Sequence, residues 1–193
     1  LKAASPQAPI SDWFMGDDLH HNGAFFLSQN FNFFYVFAQR AEDPLHEDLK
    51  SFNFKTPDGY DFFLRMGPLA NSERLLLKGR SPEWNEFLTH PTYDAFWQDQ
   101  AMDRLLGARP LSVPTMIVHS LWDQEDIYGA IALYKALEPK DAANDTLFLV
   151  MAPWHHGQEI DDGSALGPIR FGSDTGLYFR REEVADENAI ADL

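Results

Sequence analysis

Two continuous apolar runs in the last third of the chain constrain its fold more than any other feature. They cover residues 115–121 and 146–151, and a helical pattern over residues 128–137 lies between them. Apolar runs of this length are typical of strands buried on both faces, and a helical connection between two such strands predicts that they are parallel. Val113-Pro114 precedes the first run, at a position where a strand tolerates proline. The sequence therefore predicts an α/β fold with parallel strands.

Acidic and histidine clusters follow these strands. Asp123, Glu125 and Asp126 come after the first run, and His155-His156 come after the second. In a parallel sheet, functional residues collect at the carboxyl ends of the strands. An acid after one strand and a histidine after the next is how an α/β-hydrolase supplies the last two members of a Ser-Asp-His triad. A further acidic segment, residues 12–18, is expected to converge on the same place.

The serine of such a triad should come earlier in the chain, within a Gly-x-Ser-x-Gly turn between a strand and a helix. The sequence contains no such turn. Ser164 and Ser173 lie beside glycines, but neither lies between two glycines at that spacing, and both follow the histidines. We therefore interpret the chain as the C-terminal half of an α/β-hydrolase fold, which carries an acid and a base but not the nucleophile.

Composition excludes several classes of function. The chain has 193 residues, of which 45% are hydrophobic, and this is enough for a substantial core. A net charge of -15 argues against binding to nucleic acids or to anionic membranes, which require clustered Lys and Arg. The absence of cysteine excludes disulfides and thiolate metal sites, and the apolar runs are too short to span a bilayer. Leu1 is neither a start methionine nor part of a signal peptide, so we expect that an upstream segment has been removed.

Residue composition and periodicity divide the chain into four segments, with no internal repeat. Residues 1–24 are expected to form a hydrolase strand and an acidic loop, and residues 25–108 a helical cap insertion, rich in aromatic residues and interrupted by prolines. Residues 109–181 return to strand and helix alternation and complete the hydrolase domain. Residues 182–193 are expected to form an acidic tail.

Four motifs in order resemble one family. They are residues 15–18 (Met-Gly-Asp-Asp), 90–97 (His-Pro-Thr-Tyr-Asp-Ala-Phe-Trp), 122–126 (Trp-Asp-Gln-Glu-Asp) and 153–157 (Pro-Trp-His-His-Gly). Together they resemble the α-amino acid ester hydrolases, a group related to cocaine esterase and the X-Pro dipeptidyl peptidases. The resemblance extends through most of residues 9–181.

The resemblance implies a role for each polar residue of the site. It makes Asp123 the triad acid and selects His156, rather than His155, as the base. Glu125 and Asp126, joined by Asp18, would bind the α-ammonium group of the substrate. The family's nucleophilic serine, its neighbouring oxyanion-hole tyrosine and its C-terminal jelly-roll domain have no counterpart in these 193 residues.

The resemblance also implies an activity. The intact protein would be a serine hydrolase or acyltransferase that acts on α-amino acid esters through an acyl-enzyme, with water or an amine such as a β-lactam nucleus as the acceptor. Its partner would be a small-molecule ester or amide, with no nucleic acid, membrane or cofactor involved. The family suggests a homo-oligomer that is periplasmic or secreted.

Other interpretations of the same residues remain open. Residues 123–126 could be an acidic helix N-terminus, and residues 17–18 a solvated loop. A metal site is disfavoured, because the sequence has no His-Glu-x-x-His and adjacent histidines on a strand point to opposite faces. His20-His21 and the aromatic residues of 25–37 are most simply structural. A non-catalytic amine-binding module is the alternative to an enzyme, and within the enzyme class a dipeptidyl peptidase or an acyl esterase is the next choice.

Overall fold

The computed structural model describes residues 1–42 and 49–177. Contacts between Cα atoms divide the chain into two compact units. Unit 1 comprises Leu1–Asp12 and Ala101–Leu193, of which the structure describes residues up to 177, and unit 2 comprises Trp13–Gln100. The domain boundaries predicted from the sequence stay predictions, and the predicted acidic tail at 182–193 lies outside the described residues.

The described residues form short strands and mostly short helices. The strands are β1 (His20–His21), β2 (Ala24–Phe25), β3 (Thr115–Trp122), β4 (Leu147–His155), β5 (Ala165–Leu166) and β6 (Ile169–Arg170). The α-helices are α1 (Leu27–Glu42), α2 (Gly59–Met66), α3 (Pro82–Thr89), α4 (Ala95–Gln98), α5 (Met102–Gly107) and α6 (Gly129–Leu137). A π-helix spans Ser72–Leu77, and single 3-10 turns span Glu138–Lys140 and Gln158–Ile160. None of the helices in the described residues combines the length and the apolar character that a membrane span requires.

The predicted α/β fold with parallel strands is confirmed in unit 1. β3 and β4 pair in parallel from Thr115–Leu147 onward, and a register irregularity lies between Ser120 and Trp122. The other edge of β3 forms isolated parallel bridges with the N-terminal segment, through Ala4 and Gln7. The N-terminal segment that pairs with β3 therefore lies within residues 4–8.

Helix α6 covers one face of the parallel pair. Leu133 and Leu137 on α6 pack against Ile117 of β3 and Leu147 of β4, and these four side chains are buried. Successive side chains of a strand point to opposite faces of the sheet. Ile117 lies two residues after Thr115, the register partner of Leu147, so Ile117 and Leu147 point to the same face and share one core. On the opposite face Met116 and Phe148, neighbours in the register, remain 37% and 49% exposed.

Unit 2 is helical, as the sequence predicted for most of this region, and its core is aromatic. Phe31 and Trp84 are completely buried, and the Trp84 indole N–H donates to Ser72 Oγ at 2.8 Å. The short helices α2 and α4 begin at aspartates, Asp58 and Asp94, whose carboxylates accept backbone N–H groups of the first turn. Such caps matter here because helices of four to eight residues have little stability of their own.

Candidate active site

Asp123 is fixed by the loop that follows β3. Its Oδ1 accepts the backbone N–H groups of Glu125 at 2.8 Å and of Asp126 at 2.9 Å. A short carboxylate that accepts backbone donors two and three residues ahead stabilises a turn of this kind. The turn uses one carboxylate oxygen and leaves Oδ2 directed elsewhere, and helix α6 begins shortly afterwards at Gly129.

His156 lies directly after the last residue of β4. Its backbone N–H donates to the Gln124 side chain at 3.3 Å, which ties the histidine to the loop after β3. The next residue, Gly157, has φ of +80°, a left-handed conformation that glycine adopts without strain and that turns the chain away from the strand. Since β3 and β4 are parallel neighbours, the loops that follow them leave the same end of the sheet, the carboxyl end of both strands.

The two loops bring Asp123 and His156 into contact. His156 Nδ1 lies 2.9 Å from Asp123 Oδ2, and the Asp123 side chain is only 1% exposed, whereas that of His156 is 33% exposed. An ionised carboxylate only accepts, so His156 donates through Nδ1–H, and Nε2 is the nitrogen available for proton exchange. An imidazole oriented in this way can serve as the acid and base of a catalytic triad.

Two further carboxylates surround the imidazole. Asp126 Oδ2 lies 3.6 Å from His156 Nδ1, and Glu125 Oε2 lies 3.9 Å from His156 Nε2. The Asp126 side chain is 5% exposed and that of Glu125 is 27% exposed. The structure thus brings together four of the five site residues that the sequence indicated.

These carboxylates change the proton affinity of the histidine. The hydrogen bond to Asp123 raises the pKa of His156, burial opposes it, and the negative charges of Asp123, Glu125 and Asp126 add to the increase. The resulting pKa is about 9, compared with an ordinary value of 6.5. With this pKa, the imidazole carries a proton on both nitrogens at neutral pH.

Asp123 remains ionised. Burial raises the pKa of its carboxyl, but the hydrogen bonds from His156 and from the backbone N–H groups of Glu125 and Asp126 together outweigh burial. The net result is a pKa below the usual value for aspartate. A buried acid that stays charged is what the orientation and stabilisation of an imidazolium require.

Gln158, which the sequence patterns did not single out, shapes the histidine loop. The Gln158 side chain is 6% exposed, accepts the backbone N–H of His155, and donates to the carbonyl groups of Asp162 and Ala165. Gln158 therefore holds the turn that follows His156. Its position next to the Trp-His-His-Gly motif was the signal available in the sequence.

The chain beyond the histidine loop is tied back to it. The Trp154 indole N–H donates to Thr175 Oγ1 at 3.0 Å, and the Leu177 N–H donates to the Glu159 carbonyl. Glu159 itself is 5% exposed and accepts a long hydrogen bond of 3.4 Å from Ser120 Oγ on β3. These bonds connect the end of β4, the residues after it and β3 into one framework under the site.

The remaining histidines and acids of the sequence motifs lie elsewhere. His155 is exposed, and its Nδ1 lies 3.0 Å from the His156 carbonyl oxygen, so it does not contact Asp123 through this nitrogen. His20 is buried between Phe14, Phe25 and Trp97 in unit 2, as a structural residue would be. Asp18 is half-buried in a turn of unit 2, and its contribution to the carboxylate group stays a prediction.

The ligand atoms of Asp123, Asp126 and His156 lie within 4.8 Å of one another, a grouping of the kind that can hold a metal ion. The expectation from the sequence that no metal binds here stays a prediction. The same three side chains form the hydrogen-bonded Asp123–His156 pair with the Asp126 carboxylate beside it.

Comparison with known proteins places this geometry among hydrolases. Residues 1–158 match the family model described as X-Pro dipeptidyl-peptidase (S15 family). A crystal structure of an aminopeptidase from the marine sediment archaeon Thaumarchaeota archaeon has a TM-score of 0.80 and 39% identity. An α-amino acid ester hydrolase labelled with selenomethionine has a TM-score of 0.78 and 40% identity.

The likeness covers nearly all of this chain but only a part of those proteins. The alignments include 95% and 91% of this chain, and 29% and 28% of the aminopeptidase and the ester hydrolase, respectively. No curated protein matches the chain significantly. The α/β-hydrolase class inferred from the sequence is thus supported at high sequence identity.

Proposed function

We propose that this chain, which belongs to the X-Pro dipeptidyl-peptidase (S15) family, supplies the acid and the base of a serine hydrolase that acts on esters of α-amino acids. The observation that carries the proposal is the contact of 2.9 Å between His156 Nδ1 and the buried Asp123 carboxylate. The resemblance of the sequence motifs and the ester hydrolase at 40% identity point to the same substrate class.

The proposed mechanism needs a nucleophile that these residues do not include. Asp123 would hold His156 with Nδ1 protonated, and the neutral Nε2 would take the proton from a serine hydroxyl as that oxygen attacks the ester carbonyl. The imidazolium would then return the proton to the departing alcohol, leaving an acyl-enzyme. The Gly-x-Ser-x-Gly turn that would present the serine does not occur in the sequence, so the serine would come from polypeptide outside these 193 residues.

The carboxylates beside the histidine support an amine-bearing substrate. Glu125 and Asp126 lie within 4 Å of the imidazole, and together with Asp123 they carry more negative charge than one imidazolium offsets, so a further cation would stabilise the group. An α-ammonium group would do so, with Asp18 as the third carboxylate that the family resemblance implies. Each charge-assisted hydrogen bond would contribute roughly 1.5 to 3 kcal/mol, enough to discriminate against acyl groups without the amine.

A second candidate is an aminopeptidase that acts on short peptides. The archaeal aminopeptidase, at 39% identity, favours it. The same carboxylates would recognise the amino terminus of a peptide, and the acid–base pair would serve amide cleavage through the same acyl-enzyme. Acyl transfer to an amine, including a β-lactam nucleus, would be a variant of the ester reaction in which an amine replaces water.

Hydrolysis of two matched esters tests the proposal. Phenylglycine methyl ester carries the α-amine, and methyl phenylacetate is its des-amino analogue. Both are offered to the product of the complete gene and to the 193-residue chain in parallel, beside a dipeptide p-nitroanilide for the aminopeptidase candidate. We expect turnover by the complete product alone, with a preference for the amine-bearing ester.

Adjacent histidines provide the control. His156→Ala in the complete product should abolish ester turnover, whereas His155→Ala should retain most of it, because His155 is exposed and its Nδ1 contacts the backbone. Equal losses for both variants would contradict the assignment of the base. Binding of the amine-bearing ester without turnover by either protein would favour a non-catalytic amine-binding module.

A further inference from the structure

The three carboxylates around His156 do not face the same side of the ring. Asp123 Oδ2 and Asp126 Oδ2 both approach Nδ1, at 2.9 Å and 3.6 Å, whereas Glu125 Oε2 approaches Nε2 at 3.9 Å. In a triad, Nε2 is the nitrogen that faces the nucleophile and the substrate. Glu125 therefore lies on the reacting side of the imidazole, and Asp126 lies on the supporting side with Asp123.

Burial separates the two residues in the same way. The Asp126 side chain is 5% exposed, close to the 1% of Asp123, whereas Glu125 is 27% exposed and the imidazole itself 33%. Both charges raise the pKa of His156, that of Glu125 no less than that of Asp126, so the two residues differ in their place at the ring rather than in the strength of their charge. Residues that are adjacent in one motif thus have different surroundings.

The loop explains how Asp126 reaches Nδ1. The backbone N–H of Asp126 donates to Asp123 Oδ1, so the two aspartates share one turn and their side chains emerge beside each other. The neighbouring oxygen of the Asp123 carboxylate accepts from the imidazole. Asp126 is consequently held near His156 by the same turn that orients the triad acid.

We propose that Asp126 is a positioning residue for His156, acting with Asp123 on the Nδ1 side of the ring, and that it shares its charge between the imidazole and the bound amine. The positioning of His156 rests on the geometry alone, whereas the sharing of charge with a bound amine rests on the proposed function. The residue would then link recognition of the amine to the state of the base.

Binding of an amine beside Asp126 should lower the pKa of His156. A cation bound to Asp126 and Glu125 offsets the negative charge that favours the imidazolium, so amine binding and protonation of His156 oppose each other. Because His156 has a pKa of about 9, it holds a proton at neutral pH and cannot accept another. An amine-bearing ligand would promote the neutral base, and a ligand without the amine would not.

Nuclear magnetic resonance of the 193-residue chain can test this without any turnover. The chain has seven histidines, and the signals of His156 are identified as those lost in His156→Gln. The pKa of His156 is then measured in the unaltered chain, in Asp126→Asn and in Glu125→Gln, which each remove one negative charge with little change of shape. Glu138→Gln, at an exposed position on the 3-10 turn after α6, controls for the general loss of one charge.

We expect Asp126→Asn to lower the pKa of His156 by about 1, Glu125→Gln to lower it as well, and Glu138→Gln to leave it unchanged. Asp126→Glu keeps the charge and should restore a value near that of the unaltered chain. Restoration by Asp126→Glu also separates an electrostatic role from a merely structural one. An unchanged pKa of His156 in a folded Asp126→Asn chain would overturn the positioning role.

The second arm uses benzylamine at saturating concentration, with benzyl alcohol as the uncharged control. Benzylamine should lower the pKa of His156 in the unaltered chain and less so in Asp126→Asn, while benzyl alcohol should have no effect. If benzylamine binds at the site but leaves the pKa unchanged, the shared role is wrong and the proposed amine site stands. If benzylamine does not bind, the amine site and the shared role both fail, and the titration of the variants still decides the contact with His156.

Discussion

Asp123 divides its two carboxylate oxygens between two tasks. Oδ1 closes the turn after β3 by accepting two backbone N–H groups, and Oδ2 accepts from His156. The side chain therefore builds its own loop and orients the histidine at the same time. This double use explains why the residue is buried and still ionised, since three hydrogen bonds compensate for the loss of water.

The first prediction concerns this residue. Asp123→Asn keeps the size of the side chain but removes the charge, so the pKa of His156 should fall markedly toward its ordinary value of 6.5. In the complete gene product the same change should reduce ester turnover by several orders of magnitude, because an amide can stabilise the wrong tautomer of the imidazole. Histidine titration by nuclear magnetic resonance and a hydrolysis assay measure the two effects. Asp162→Asn, an exposed acid of the same chain, is the control and should change neither.

The second prediction concerns stability against pH. The folded pKa of His156, about 9, lies above the ordinary value of 6.5, so the stabilisation that its charge provides is complete below pH 6.5 and is lost as the pH rises through about 9. The difference in free energy of unfolding between the unaltered chain and His156→Gln should therefore shrink between pH 6.5 and pH 9. Denaturant unfolding at three pH values in this window measures it. A difference that grows with pH would contradict the assigned charge state.

At the scale of elements, the site depends on two loops that leave neighbouring parallel strands. β3 ends in the Asp123 turn, and β4 ends at His155 with the left-handed Gly157 two residues later. The Gln124 side chain joins the loops by accepting the His156 N–H. A small change in either loop should therefore displace the imidazole, even where no catalytic group is altered.

The third prediction tests the turn after His156. Gly157 has φ of +80°, and an added Cβ would meet nothing within 4 Å, so the cost of a side chain here is conformational rather than steric. Gly157→Ala should destabilise the chain by about 1 to 2 kcal/mol, and Gly157→Asn by less, since asparagine tolerates the left-handed region. Thermal or denaturant unfolding gives the difference. Similar costs for alanine and asparagine would mean that the turn does not require this conformation.

At the scale of the whole molecule, the two compact units have separate cores. Unit 1 is built on Ile117, Leu133 and Leu147 between α6 and the parallel strands. Unit 2 is built on aromatic side chains, among them Phe31, Phe63 and Trp84. The acid–base pair belongs to unit 1, while Asp18 belongs to unit 2.

The fourth prediction follows from the separate cores. Trp84→Ala removes a fully buried indole and its hydrogen bond to Ser72, and it should cost about 3 to 5 kcal/mol within unit 2. Hydrogen exchange should increase in residues 13–100 more than in the β3 and β4 strands. Tyr60→Ala, an aromatic residue that is 74% exposed, is the matched control and should have little effect. Equal loss of protection in both units would show that they unfold together.

The sequence by itself determined the parallel strands and the helix between them, and it placed Asp123 and the two histidines directly after neighbouring strands. Long apolar runs and a helical connection allow few arrangements other than parallel strands. Polar residues directly after such strands lie together at the carboxyl end of the sheet. Family motifs added the choice of His156 over His155, which differ by one position in the sequence. The contact of His156 with Asp123 agrees with that choice.

Only the tertiary structure decided which side of the imidazole each carboxylate faces. Glu125 and Asp126 are adjacent acids in one motif, yet the turn closed by Asp123 directs Asp126 to Nδ1 and leaves Glu125 near Nε2. Gln158 likewise became visible as the support of the histidine loop only through its bonds to residues on both sides of the turn. The sequence pattern determines at which end of the sheet these side chains gather. The direction of each side chain is set by hydrogen bonds and packing with residues distant in the sequence, which no local pattern encodes.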